Sequence, residues 1–143
     1  MAHKAAFVAL LFAASLAFSG CSGESDNPAS PAQAPDLTGT WDLFVEIKVP
    51  EAMIWLDITD DNGVLTGNYV HLTGSIPLNG TCDTEGGVHI VFEQKDPDIG
   101  IPFKGILEGK ATADRSVING TLTVVLPESD AVAYAGPFFA GKR

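Results

Sequence analysis

From Leu37 to the C-terminus, apolar and polar residues alternate with a period of two, and turn residues interrupt the alternation about every 8–14 positions. Asp60-Asp61-Asn62-Gly63, Glu85-Gly86-Gly87 and Asp114-Arg115-Ser116 are the clearest interruptions. No helical period runs through this part of the chain. The pattern predicts eight strands, at about 38–48, 52–59, 64–70, 72–84, 87–94, 101–113, 117–126 and 132–142. A second regularity is laid over the first: a large apolar residue, any residue, then glycine. It occurs at Leu37/Gly39, Leu65/Gly67, Leu72/Gly74, Leu78/Gly80, Phe103/Gly105 and Ile118/Gly120. A spacing of two puts both members on one face of a strand.

Extending each frame defines one apolar face. It runs through Leu37, Gly39, Trp41, Leu43, Val45 and Ile47, then Ile54, Leu56 and Ile58, then Leu65, Gly67 and Tyr69. Leu72, Gly74, Ile76, Leu78, Gly80 and Cys82 follow, with Val88, Ile90 and Phe92 after them. Phe103 to Ala111, Ile118 to Val124, and Val132, Tyr134 and Phe138 complete the face. Inward glycines allow the bending and close backbone approach that a small barrel needs and an open sandwich does not. The expected fold is therefore all-β: a small eight-stranded antiparallel meander barrel. Two points decide the strand count. Asn79-Gly80 and Asn119-Gly120 are also hairpin signals, but Thr-Gly and Lys-Gly fill the same frame elsewhere, which favours strand interiors. The frame flips between Tyr69 and Leu72, which places a turn or bulge near Val70-His71.

The first 36 residues read differently. A short basic start with Lys4 precedes an apolar run from Ala5 to Phe18, too short to span a bilayer, and the small residues Ser19-Gly20 precede Cys21. This pattern marks a secretory signal over 1–20. Phe18-Ser-Gly-Cys21 resembles the lipobox of bacterial lipoproteins, with phenylalanine where leucine is usual. The resemblance implies cleavage before Cys21, acylation of that residue, and attachment to the lipid bilayer through the acyl chains. Ser22, in place of Asp, resembles the pattern sorted to the outer membrane of two-membraned bacteria. Residues 21–36 lack large apolar side chains and cannot offset ordering entropy, so they read as a disordered tether reaching on the order of 20 Å. The alternative for Cys21 is a disulfide with Cys82, although a bridge to such a tether would staple little structure. Residues 37–143 remain as one barrel domain.

Charge excludes some partners. The chain carries 8 basic and 18 acidic residues, a net charge of −10; without residues 1–20 it is −11. Nucleic acid needs clustered Lys and Arg, so it is excluded as a partner. Adhesion to anionic lipid head groups is disfavoured for the same reason. Nothing in the sequence identifies a protein partner.

Candidate chemistry is sparse. The Asp57–Gly63 segment looks like a calcium loop, but with Gly63 as its sixth residue, positions one and twelve would be Ile58 and Tyr69, so a β-turn is the better reading. His71 and His89 lack metal-ligand spacing and read as surface residues, and no metal or cofactor beyond the covalent lipid is expected. No nucleophile elbow, phosphate loop or nucleotide fingerprint is present. The inward face carries only the Tyr69 and Tyr134 hydroxyls and the Cys82 thiol as polar groups, which argues against an enzyme. Trp55 and Met53 point outward, as a contact surface or as the floor of the 94–102 loop.

Leu37-Thr-Gly-Thr-Trp41 resembles the Gly-x-Trp signature that opens the first strand of lipocalins and related calycins. The resemblance implies a basic residue after the last strand that covers this tryptophan and closes the barrel base. Arg143 or Lys142 would cover Trp41 in this way; the alternative is a frayed charged terminus. Gly63-Val-Leu-Thr-Gly-Asn-Tyr69 is similar to avidin wording, but Leu43 and Ile47 replace the polar residues that would bind biotin. Two functions remain. A barrel filled by its own side chains would act as a structural or interaction module, which the small size of the domain favours. A hollow barrel would carry a small apolar ligand or lipid, with Tyr69, Phe92, Phe103 and Tyr134 as candidate contacts.

Overall fold

The computed structural model describes residues 32–46, 54–96, 98 and 100–143. The expected signal segment, Cys21, Ile47 and Met53 lie outside these residues. Eight antiparallel strands follow one another: β1 (Gly39–Val45), β2 (Ile54–Asp61), β3 (Val64–His71), β4 (Gly74–Cys82), β5 (Gly87–Gln94), β6 (Phe103–Ala111), β7 (Val117–Leu126) and β8 (Ala131–Lys142). Each pairs with its chain neighbours, and β8 returns to pair with β1, so the meander closes into a barrel without free edges. No helix is present among the described residues.

The alternating pattern explains the fold strand by strand. Trp41, Leu43, Leu56, Ile58, Leu65 and Leu78 are buried, and the polar residues between them face solvent or lie half-covered. Asn79-Gly80 pairs on one side with Leu65 and Thr66 and on the other with Ile90 and Val91, so it lies inside β4. Asn119-Gly120 lies inside β7, between β6 and β8. The hairpin at Asn62-Gly63 has φ of 53° and 86°, the type I′ geometry that Asn-Gly favours. Asp60 Oδ1 accepts the Gly63 amide at 2.8 Å there, so this acidic segment is a turn.

Two inward assignments are corrected. Leu72 sits in the β3–β4 turn and is 72% exposed. The turn falls after His71 rather than at Val70-His71: His71 pairs directly with Gly74, which leaves Leu72-Thr73 as a two-residue connection. β3 thus keeps the frame of Tyr69, and His71 falls on the inner face. Val132 is the other case, 61% exposed. Val124 pairs with Tyr134 but Val125 pairs with Val132, so a bulge absorbs Ala133 and turns Val132 outward.

Packing differs between the barrel ends. At the end where the chain enters β1, Leu37 and Trp41 are fully buried with Leu65, Ile118 and Ala140, while Cys82, Val88 and Ala111 are nearly so. Each large aliphatic side chain buried this completely is worth about 1.5–3 kcal/mol. Trp41 Nε1 donates to the Leu37 carbonyl at 2.9 Å, satisfying the one polar atom of the ring. Asp60 accepts the Leu37 amide at 3.0 Å, and its own amide donates to Thr38 Oγ1 at 3.0 Å. This base is solid. Toward the other end, Val45, Ile54, Tyr69, Phe103, Val124 and Tyr134 only partly close over the core.

Candidate functional site

The loosely covered end holds an apolar cavity of about 320 Å³. Leu43 and Val45 from the end of β1 and Ile54 from the start of β2 form one wall. Leu122 and Val124 of β7 and Phe103 of β6 form another, and Tyr69, His71, Leu72 and Phe92 complete the lining. These residues share one end because antiparallel neighbours bring alternate strand ends together. The inner face of each strand therefore delivers its last or first apolar residue to the same mouth.

Aromatic rings organise the lining. Phe92 stacks on Tyr69 with centroids 4.2 Å apart and planes 7° from parallel. Phe103 meets Phe92 edge-on at 6.2 Å, and His71 flanks Tyr69 at 5.7 Å. Gly105, which pairs with Phe92, has no side chain to oppose the Phe92 ring; a Cβ there would collide with it. The apolar-x-glycine pattern thus creates room for an aromatic ring. Burial pushes the Tyr69 hydroxyl above its ordinary value, so it stays protonated at neutral pH.

Of the residues expected to touch a ligand, Tyr69, Phe92 and Phe103 come together in the lining and Tyr134 does not. Tyr134 lies beside Val124 on the inner face, its ring folded over Gly136. Its hydroxyl is shielded from solvent and has no hydrogen-bond partner among the described residues. His71 is the residue that the sequence reading missed. It is half-buried in the cavity wall rather than on the surface, and Tyr69-x-His71 is the two-residue spacing that would have identified it. His71 Nδ1 lies 2.8 Å from Thr73 Oγ1, while Nε2 is fully shielded and unpartnered among the described residues. His89 is on the outer face, 3.5 Å from Glu108.

The remaining candidates belong to the base. Lys142, not Arg143, lies over Trp41, with Nζ 5.5 Å from the ring. Gly39 permits this crossing: its φ is 144°, and a Cβ there would come within 2.8 Å of Lys142 Cε. Arg143 is one residue further along and therefore on the opposite face. Its guanidinium covers Trp55 at 5.4 Å and pairs with Asp42 at 2.6 Å, and its amide donates to the Thr40 carbonyl at 2.9 Å. Asp42 and Trp55 are cross-strand partners, so Arg143 clips the outer wall of β1 to β2.

Cys82 is buried in the base, and its thiol forms no bridge among the described residues. Burial first, then the Asp60 and Asp83 carboxylates, push its pKa up to about 11, which removes the thiolate needed for nucleophilic chemistry at neutral pH. Gln94, an inward polar residue outside the expected apolar face, is buried but satisfied. Its amide donates to the Asp96 carbonyl at 2.7 Å and accepts the Asp96 amide at 3.1 Å. Among the described residues, no three His, Cys, Asp or Glu side chains group as metal ligands do. Comparison with protein-family models, with curated proteins and with solved structures finds no significant match.

Proposed function

We propose that this protein is an envelope lipoprotein that catalyses no reaction and binds a small apolar molecule in the open end of its barrel. The observation that carries the binding reading is the cavity of about 320 Å³, walled by aliphatic and aromatic side chains above a solid base. That volume lies near the small end of the usual range for ligand sites, roughly 300–1,000 Å³. It suits one compact molecule or one end of a longer acyl chain. The lining offers ring faces and methyl groups for contact and no cluster of acids, bases and nucleophiles.

The location rests on the sequence. Cys21 after an apolar leader supports an acyl anchor, the polar 22–36 segment supports a leash, and Ser22 supports outer-membrane sorting where two membranes exist. The lipocalin resemblance is carried by Gly39-Thr-Trp41 with Lys142 laid across the ring, in a barrel of eight strands. The densely packed base supports a second reading, in which the barrel is a structural or interaction module and the cavity stays empty.

Native mass spectrometry of untreated and lipid-extracted protein separates the two. A cargo mass that extraction removes supports carriage. If untreated protein carries none and a fluorescent apolar probe such as N-phenyl-1-naphthylamine does not bind, the carrier reading fails. Cys21→Ser tests the anchor: the protein should leave the membrane fraction and lose its acyl mass.

A further inference from the structure

At the open end of the barrel, large apolar side chains stand in solvent on three successive hairpins. Leu72 lies in the β3–β4 turn, Ile101 in the β5–β6 connection, where it is 78% exposed, and Val132 just after the β7–β8 turn. Phe44, on the outer face near the end of β1, and its cross-strand partner Phe139 extend the exposed apolar surface along one wall. The turns at the base are polar instead: Asn62-Gly63, Asp83 to Gly86 and Thr112 to Ser116. Beside them, Val64 is the one large apolar side chain in solvent among the described residues. Exposed apolar residues scattered singly are ordinary, but a set of them placed around one opening is not scatter. The set is also continuous with the cavity, because Leu72 belongs both to the rim and to the lining.

We propose that this rim docks on the surface of a zwitterionic phospholipid bilayer, the same bilayer that holds the Cys21 anchor. The proposal rests on the anchor reading and does not require the cavity to be filled. Side chains on separate hairpin tips offer a protein partner no continuous face, whereas a lipid surface admits each tip independently. The length of the chain permits the contact. Cys21 lies 16 residues before Leu37, which is buried in the base, and that stretch can span up to about 55 Å. β8, the longest strand, has 12 residues and measures about 40 Å, so the connection can pass the whole length of the barrel. Tethering makes docking intramolecular, at an effective concentration on the order of millimolar, and shallow insertion then suffices. Asp96, Asp98, Glu128 and Asp130 flank the apolar tips and set the lipid preference, toward a surface without net charge and away from an anionic one. Docked in this way, the mouth receives an apolar molecule from the bilayer without its crossing water.

The test places the acylated mature chain in phosphatidylcholine nanodiscs that carry a spin-labelled lipid, and follows the broadening of backbone amide resonances. The amides of Leu72, Ile101 and Val132 should broaden most and that of Val64, at the base, least, a readout that needs no variant. Ile101→Ser combined with Val132→Ser, neither residue lining the cavity, should lower the docked-to-free ratio about tenfold, each side chain entering the lipid only in part. Val64→Ser should leave that ratio within about twofold. Adding phosphatidylglycerol should weaken docking. An acylated chain held in the nanodisc without preferential broadening at the rim would overturn the docking and leave the anchor standing. So would rim amides that instead shift with protein concentration in the absence of lipid, the mark of two copies pairing. Docking strengthened by phosphatidylglycerol would overturn the apolar rim in favour of adhesion by charge. A chain that has no acyl mass and stays off the nanodiscs would overturn both readings.

Discussion

The contact between Phe92 and Gly105 is the sharpest test of how this barrel makes room for its cavity. Phe92 is almost fully buried and stacked on Tyr69, and its ring occupies the space that a Cβ on Gly105 would fill. Gly105→Ala should therefore push the ring off Tyr69. Overpacking of this kind costs about 1–3 kcal/mol, offset by about 0.5 kcal/mol from the lower entropy of the unfolded chain. A net loss of about 1.5 kcal/mol is expected. Phe92→Ala should cost about 3 kcal/mol, the lower end for Phe truncation, because the vacated space joins a cavity that already exists. Once the ring is gone, the methyl group added at position 105 has nothing to strike, so the double variant should be about 0.5 kcal/mol more stable than Phe92→Ala alone. The coupling is then about 2 kcal/mol, well beyond the roughly 0.5 kcal/mol within which independent sites add. Urea unfolding followed by circular dichroism on the four proteins measures it. Additivity within about 0.5 kcal/mol would refute the placement of the ring over Gly105 and, with it, the physical reason for the inward glycine.

Three further outcomes are expected. Asp60→Ala removes the acceptor for the Leu37 and Gly63 amides; it should cost about 1–3 kcal/mol, and hydrogen exchange should quicken first at those two amides. Lys142→Met keeps the aliphatic stem over Trp41 but removes the charge, so stability should fall by about 0.5–1 kcal/mol with little change in Trp41 burial by fluorescence quenching; a larger loss would mean that Lys142 does more than cover the ring. The Cys82 thiol should resist iodoacetamide at pH 8 in the folded protein and react on unfolding. The unfolded thiol releases its proton from about 9 and the folded one only at about 11. This contribution to stability is therefore complete below pH 9 and is lost as the pH rises toward 11, a decline that Cys82→Ala should lessen in pH-dependent melts, the buried Tyr69 hydroxyl leaving a remainder of the same sign.

The strand count, the antiparallel order and most of the inner face were legible in the chain, because burial on one side of a strand writes itself as a period of two. Leu56, Leu78, Ile90 and Leu107 are where that period puts them, and the Asn-Gly pairs at 79–80 and 119–120 were correctly read as strand. The two misplaced residues mark where period alone fails. At Val132 a single bulged residue reverses the face, and at Leu72 a two-residue turn begins beyond Val70-His71, where the apolar pattern implied it. Both depend on hydrogen-bond registry with a neighbouring strand, which no local pattern contains. His71 was lost with that turn: its spacing of two from Tyr69 places it on the inner face only if β3 continues as far as the pairing with Gly74.

Closure also belongs to the tertiary structure. Sequence supplied a basic end and a tryptophan, but only the alternation of side chains along β8 and its continuation places Lys142 over Trp41 and Arg143 over Trp55. The cavity is the clearest case. An apolar inner face is the same string of letters whether the barrel is packed or hollow. The difference lies in how far side chains from opposite walls reach toward one another, a distance set by strand bending and register. Sequence by itself determined which face is apolar; the closed barrel decided that one end is filled and the other is left open.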